Sequence, residues 1–200
     1  MAGSSRCHPN SGGDLLRKIS DAIEGIGTVV IQNKGQSSAE VFATELRKVR
    51  GSYLTLRLDS DDAISIDFVE RLLKAAIPAG TAVSFSRGTI FDLNSQRAAK
   101  SFVRTNPFLV YRGSKGSNVF DLGHHRLMED ALGQRFHSLE TKRPMWCIFT
   151  HGSNVANKMP PLYWPESKKN LRRAFPFLPH RPGPELLAPR SQTLGSRPGF

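Results

Sequence analysis

An α/β domain, with a mixed sheet flanked by helices and a disordered basic tail, is the fold class that this 200-residue sequence predicts. Three observations predict it. From Asp14 to Ala76, segments with helical spacing alternate with short runs of strand character, the order expected of a sheet with at least some parallel strands. An apolar fraction of 38% is enough to bury a core. Nine of the 13 prolines fall from Pro160 onward among basic residues, a composition that supports neither regular helix nor a central strand. The expected organisation is a disordered N-terminus over residues 1–12, a folded domain over 13–159 and an extended tail over 160–200.

Element by element, Leu15, Leu16, Ile19, Ala22, Ile23 and Ile26 share one helical face and predict a first helix from Asp14. "TVVIQ", Thr28 to Gln32, reads as a short strand. Ser37 and Glu40 form a capping box, which opens a second helix with Val41, Phe42, Leu46 and Val49 on its apolar side. "YLTLRL" alternates as a strand. Ile64, Phe68, Val69, Leu72, Leu73 and Ala76 then predict a third helix, closed by Pro78 and Gly80. Further strands are expected at "TAVSFS", "GTIFDL", "FLVYR" and "MWCIFTH", with a helix over His125 to Phe136. "ESKKNLRRAF" is the one place in the tail where a short helix fits.

The formal net charge is +11, and seven Lys/Arg against two Glu lie from Pro160 to Phe200. Such an excess raises nucleic acid or an anionic membrane surface as partners. Aromatic-basic interleaving and helix-turn-helix or RNP-like motifs are missing, so nucleic acid is not the expected partner, and the tail offers at most a weak membrane-surface contact. Cys7 and Cys147 form no CxxC pair, and Cys147 reads as a buried free thiol. With neither a signal-type leader nor a long apolar span, the expected location is cytoplasmic.

The chemistry concentrates in "YLTLRLDSDDAISIDFVERLL", where Asp59, Asp61 and Asp62 follow a strand directly. A calcium loop starting at Asp59 matches at Asp61 and Glu70 but fails at Ala63 and at Ile64, where a glycine must make the turn. Capping of the next helix by Asp62 or Ser65 accounts for one acid. Three acids in four residues repel one another and call for a cation. A hard divalent ion beyond the carboxyl end of a strand, held by one or two carboxylates and by substrate phosphates, is the remaining reading.

The context of that motif carries a resemblance. "LTLRLDSDDAISIDFVERL" resembles the metal-binding segment of the putative rhamnosyltransferase family, glycosyltransferases of the GT-A type. "FSRGTIFDL", "NPFLVYRGSKGSNVFDLGHHRL" and "RPMWCIFTHGSNVANK" are similar to later blocks of that family, in the same order. The four blocks cover roughly Tyr53 to Lys158. The resemblance implies a partial GT-A-like, Rossmann-like sheet. It further implies a nucleotide-sugar donor, a glycan or small-molecule acceptor, and Mn2+ or Mg2+ as cofactor. Asp59, Asp61 and His151 would hold the metal. Arg57, Asp59 and Asn154 would contact the donor, with Asp62 in support.

For an inverting reaction Glu129 and Asp130 are the general-base candidates, with Asp92 a further one. The His124–His125 pair lacks a second ligand set at zinc spacing. Trp146 is expected in the core rather than under a sugar. About fifty residues precede the acids, fewer than a GT-A donor domain uses, so the chain is expected to be N-terminally shortened. An inactive truncated relative and a basic nucleic-acid-binding protein are the competing readings.

Overall fold

The structure is a computed structural model. It describes residues 11–22, 24–25, 30–59, 61–124, 127–150 and 164–178. In chain order the elements are α1 (Ser11–Ala22), α2 (Ser38–Leu46), β1 (Ser52–Leu56), β2 (Asp62–Ile64), α3 (Phe68–Lys74), β3 (Ala82–Phe85), β4 (Arg87–Asp92) and β5 (Arg97–Phe102). There follow β6 (Val110–Ser114), a 3₁₀ turn (Val119–Leu122), α4 (Met128–Leu132), β7 (Phe136–Leu139), β8 (Trp146–Thr150) and α5 (Lys168–Ala174). Among the described residues no helix is long and apolar enough to cross a membrane.

The α/β class holds, but the strands form two four-stranded mixed sheets rather than one, in the orders β1-β6-β3-β7 and β2-β8-β4-β5. The chain passes from one to the other at Ser86, between β3 and β4. Asn106, fully buried, braces the crossing by donating from Nδ2 to the Phe85 carbonyl at 2.8 Å and the Val103 carbonyl at 2.9 Å. Each sheet contains one parallel pair, β3 with β7 and β4 with β8; the remaining pairs are antiparallel.

Alternation along the strands sorts the core into three clusters. The central one joins both sheets to α3 through Phe68, Leu72, Val83, Phe85, Val110 and Trp146. Ala82, Leu109 and Phe136 face the other way, under the 3₁₀ turn and α4, meeting Val119 and Met128. On the second sheet Phe91, Ala98 and Cys147 face Leu171, Ala174, Phe175 and Leu178. Cys147 is a free, buried thiol; burial first, and then the charge of Asp62, push its pKa far up.

The last cluster corrects the expectation of a disordered tail for residues 164–178; the rest of that tail, 160–163 and 179–200, lies outside the described residues. Residues 164–178 are folded into the domain, and the short helix in "ESKKNLRRAF" is α5. Pro165 bridges Ala99 on the edge of β5, with Lys100 N–H donating to Trp164 O at 2.8 Å and Glu166 N–H to Ala98 O at 3.0 Å. Composition pointed to disorder because prolines break helices and central strands, yet they suit an edge; here Pro165 pairs with the edge of β5 and Pro176 follows α5.

Two further expectations are corrected. Thr28 and Val29 lie outside the described residues; among the described residues Val30 to Gln32 join no ladder, and Val30 and Ile31 are 47% and 63% exposed. They lead into a turn at Asn33–Gln36 and the capping box of α2, where Ser37 Oγ accepts from Glu40 N–H and Glu40 accepts from Ser37 N–H, as the sequence predicts. The third helix begins at Phe68 and not at Ile64, since Asp62 to Ile64 are drawn into β2 by pairing with Ile148 to Trp146. Its N-cap is Asp67, so neither Asp62 nor Ser65 caps it; Ser65 Oγ instead donates to Asp67 Oδ1 at 2.9 Å.

Candidate active site at the acidic turn

β1 is an edge strand, and its hydrogen bonding continues one residue past it, Arg57 N–H donating to Leu109 O at 3.1 Å. The chain then leaves the first sheet and turns into the second. Asp62 N–H donates to Asp59 O at 3.1 Å, closing a tight turn with Asp59 and Asp61 exposed. The Arg57 guanidinium stands 3.7 Å from Asp59 Oδ1, so the cation of the same strand compensates one of the three carboxylates.

Asp62 is half-buried at the start of β2, paired with Ile148, and its Oδ1 accepts from Phe149 N–H at 3.4 Å. Burial raises its pKa to about 6, helped by the charges of Asp61 and Asp59 and opposed by the Phe149 bond. The folded state therefore binds this proton more tightly than the unfolded chain does. The resulting stabilisation is complete below the ordinary value of 3.8 and is lost as the pH rises through about 6. Asp62→Asn is expected to gain stability relative to the parent between pH 4 and pH 7, read as the difference in urea midpoint at the two pH values. Parallel pH profiles for parent and variant would contradict it.

Next to β8, β4 contributes Asp92, in register with Thr150. Asp92 accepts from Thr150 Oγ1 at 3.3 Å, Asn94 N–H at 3.3 Å and Ser95 N–H at 3.2 Å, as well as from the Ser95 hydroxyl. The Ser95 side-chain bond leads the causes that hold its pKa below the ordinary value. These four hydrogen bonds make Asp92 the residue that holds the turn at Asn94–Ser95 and ties it to Thr150. β4 and β8 run parallel, so the acidic turn, Asp92 and Thr150 gather at the carboxyl end of β8.

The other expected residues are spread more widely. His151 and Asn154 lie outside the described residues. Trp146 is buried in the core, stacked on Phe108 at 5.2 Å, as expected. Glu129 and Asp130 are exposed on α4, and Glu129 pairs with Arg104 at 2.8 Å. α4 packs against β7, the sheet edge opposite β1, the strand that leads into the acidic turn. Among the described residues no group of three or more His, Cys, Asp or Glu forms a cage for a metal ion. Thr150 was not picked out from sequence; its only signal is its place immediately before the His-Gly pair.

No curated protein and no solved structure matches the chain. A family profile does match, over residues 4–162, a span that contains all four sequence blocks and reaches back through α1 and α2. It stops just short of the bridge at Pro165 and of α5. On that match the chain belongs to the glycosyltransferase family described as "Putative rhamnosyl transferase".

Proposed function

We propose that the chain is a metal-dependent, GT-A-type glycosyltransferase that takes a sugar, rhamnose by the family description, from a nucleotide-sugar to a glycan or small-molecule acceptor. The observation that carries this reading is the packing of Asp59, Asp61 and Asp62 into one turn at the carboxyl end of β8. The donor set fits a hard cation that keeps substrate oxygens in its shell: two exposed carboxylates two residues apart. Asp59 and Asp61 would hold Mn2+ or Mg2+, joined by His151 from the stretch that follows β8. When bound, the ion stabilises the negative charge that develops on the departing diphosphate.

The chain's own groups do the rest. Arg57 orients Asp59 and is free to shift its charge toward a donor phosphate, and Asn154 contributes an amide to the same group. Asp62, held by Phe149 N–H, keeps the turn folded back against β8. Glu129 and Asp130 are the proposed acceptors of the incoming hydroxyl's proton; Asp130 lies outside the ion pair that ties Glu129 to Arg104.

The test is thermal unfolding with manganese plus each common nucleoside diphosphate. The parent protein is expected to gain stability with at least one combination, and Asp61→Ala to lose that gain while melting as the parent does without ligand. No gain with any nucleotide, or an equal gain in the variant, would refute the metal-diphosphate reading.

A further inference from the structure

At the opposite end of β8, Ser65 N–H donates to Met145 O at 2.9 Å, which brings the start of α3 against the segment before β8. There two arginines meet one carboxylate. Arg71 donates from Nε to Asp67 Oδ2 at 2.7 Å, and Arg143 from Nη2 to the same oxygen at 2.8 Å, while Ser65 occupies Oδ1. Burial would raise the Asp67 pKa, but the hydrogen bonds of Arg71 and Ser65 and the two arginine charges hold it below its ordinary value. Asp67 is thus a charged brace with both oxygens used.

A guanidinium has five N–H donors, and each arginine spends one on Asp67. One carboxylate balances one of the two positive charges. Both arginines line a cavity of about 300 Å³ with Ile66, Asp67, Glu70 and Lys74. Glu70, the other acid there, is neutralised by its ion pair with Lys74, four residues along the same helix. The cavity therefore carries one uncompensated positive charge and two planar donor forks, aligned by a common partner and a third to two fifths exposed. Such forks suit a tetrahedral oxyanion.

We propose that Arg71 and Arg143, braced by Asp67, form a binding site for a phosphate group, about 17 Å from the acidic turn by the length of the five-residue β8. Phosphate could arrive on a soluble molecule or on a lipid. Ile66, which lines the cavity, and Val69 and Leu73 on α3, the helix that supplies Glu70, Arg71 and Lys74 to it, are 67%, 55% and 68% exposed and would suit a lipid-borne phosphate.

In the parent protein, inorganic phosphate titrated at constant ionic strength is expected to shift the Nε–H signals of Arg71 and Arg143 in nitrogen-15 spectra. Arg143→Gln is expected to weaken phosphate binding about tenfold or more, as loss of a charged hydrogen-bond donor does. Vesicles of phosphatidylcholine with and without phosphatidic acid separate the sources. Retention on the acidic vesicles that falls in Arg143→Gln and is competed by inorganic phosphate assigns the site to a lipid, while phosphate binding without such retention assigns it to a soluble ligand. Equal shifts with chloride, or phosphate affinity unchanged in Arg143→Gln, would overturn the site; the parent spectra decide the matter even if the variant fails to fold.

Discussion

Glu166→Ala is expected to lower the stability of this protein by about 3–5 kcal/mol, the cost of leaving a buried charge without its partner. The Glu166 side chain is fully buried and that of Arg87 is 12% exposed, with Arg87 Nη2 donating to Glu166 Oε2 at 2.9 Å and Oε1 at 3.3 Å. Oε1 also accepts from Ser167 N–H and Asn170 Nδ2, both at 2.9 Å. Arg87 has its own restraints: it donates to the Lys142 carbonyl and lies 5.6 Å from the centroid of the Phe102 ring. Removing the carboxylate strands a guanidinium that cannot swing into water without leaving these contacts. By contrast Lys48→Ala, at the exposed Lys48–Glu45 pair, is expected to cost less than about 1 kcal/mol.

The loss at Glu166 should also be local before it is global. Glu166 joins the bridge at Pro165 to α5, and Leu171, Ala174 and Phe175 pack with Cys147. In a Cys7→Ser background, thiol labelling of Cys147 in native buffer is expected to speed up in Glu166→Ala, because α5 opens more often. Urea midpoints and labelling rates give independent readouts. A midpoint within about 1 kcal/mol of the parent together with unchanged labelling would mean that this latch does not hold the second sheet.

What could be read from the sequence follows how local each signal is. The capping box at Ser37 and Glu40 needs three residues to specify a helix start, and α2 begins where it says. Alternation found β1, and short runs of strand character found β3, β4, β6 and β8, of which β3 is buried on both faces. It could not say that β3 and β4, one residue apart, serve different sheets, because that depends on Asn106 fastening the crossing some twenty residues later in the chain. Val30 and Ile31 have strand character but pair with no strand among the described residues, and only tertiary pairing makes a strand. Asp62 looked like a helix cap because Ile64 continues the helical spacing, yet pairing with β8 took precedence. At the site the acidic cluster was plain, while the approach of Asp92 and Thr150 to it depends on the parallel register of β4 and β8. The tail was misread for a related reason: composition records prolines and charge, but not that Glu166 finds Arg87 across 79 residues.

Gly88→Ala is expected to be the most damaging single methyl that can be added to the central core. A Cβ built on Gly88 would lie 2.0 Å from Trp146 Cδ2 and 2.2 Å from both Cε2 and Cε3, far inside contact distance. The indole cannot retreat. Phe108 is stacked on it with ring planes 14° apart, and its Nε1–H donates to the Phe85 carbonyl at 2.7 Å. Neither can the backbone give way easily, because β4 is paired on one side with β5, Gly88 opposite Ser101, and on the other with β8. The expected cost is about 3 kcal/mol or more, at the upper end for overpacking, since the methyl displaces a ring as well as crowding a gap. Trp146→Leu alone should cost a similar amount by leaving a cavity beside Phe108. In the double variant the leucine makes room for the methyl, so the cost of Gly88→Ala should fall by at least about 1 kcal/mol relative to the parent background. Urea unfolding of the four proteins measures the coupling, with circular dichroism as the signal so that loss of the tryptophan does not blind it. Strict additivity would show that glycine at 88 answers to something other than the indole, and the packing that joins β4 to β8 beneath the acidic turn would have to be drawn differently.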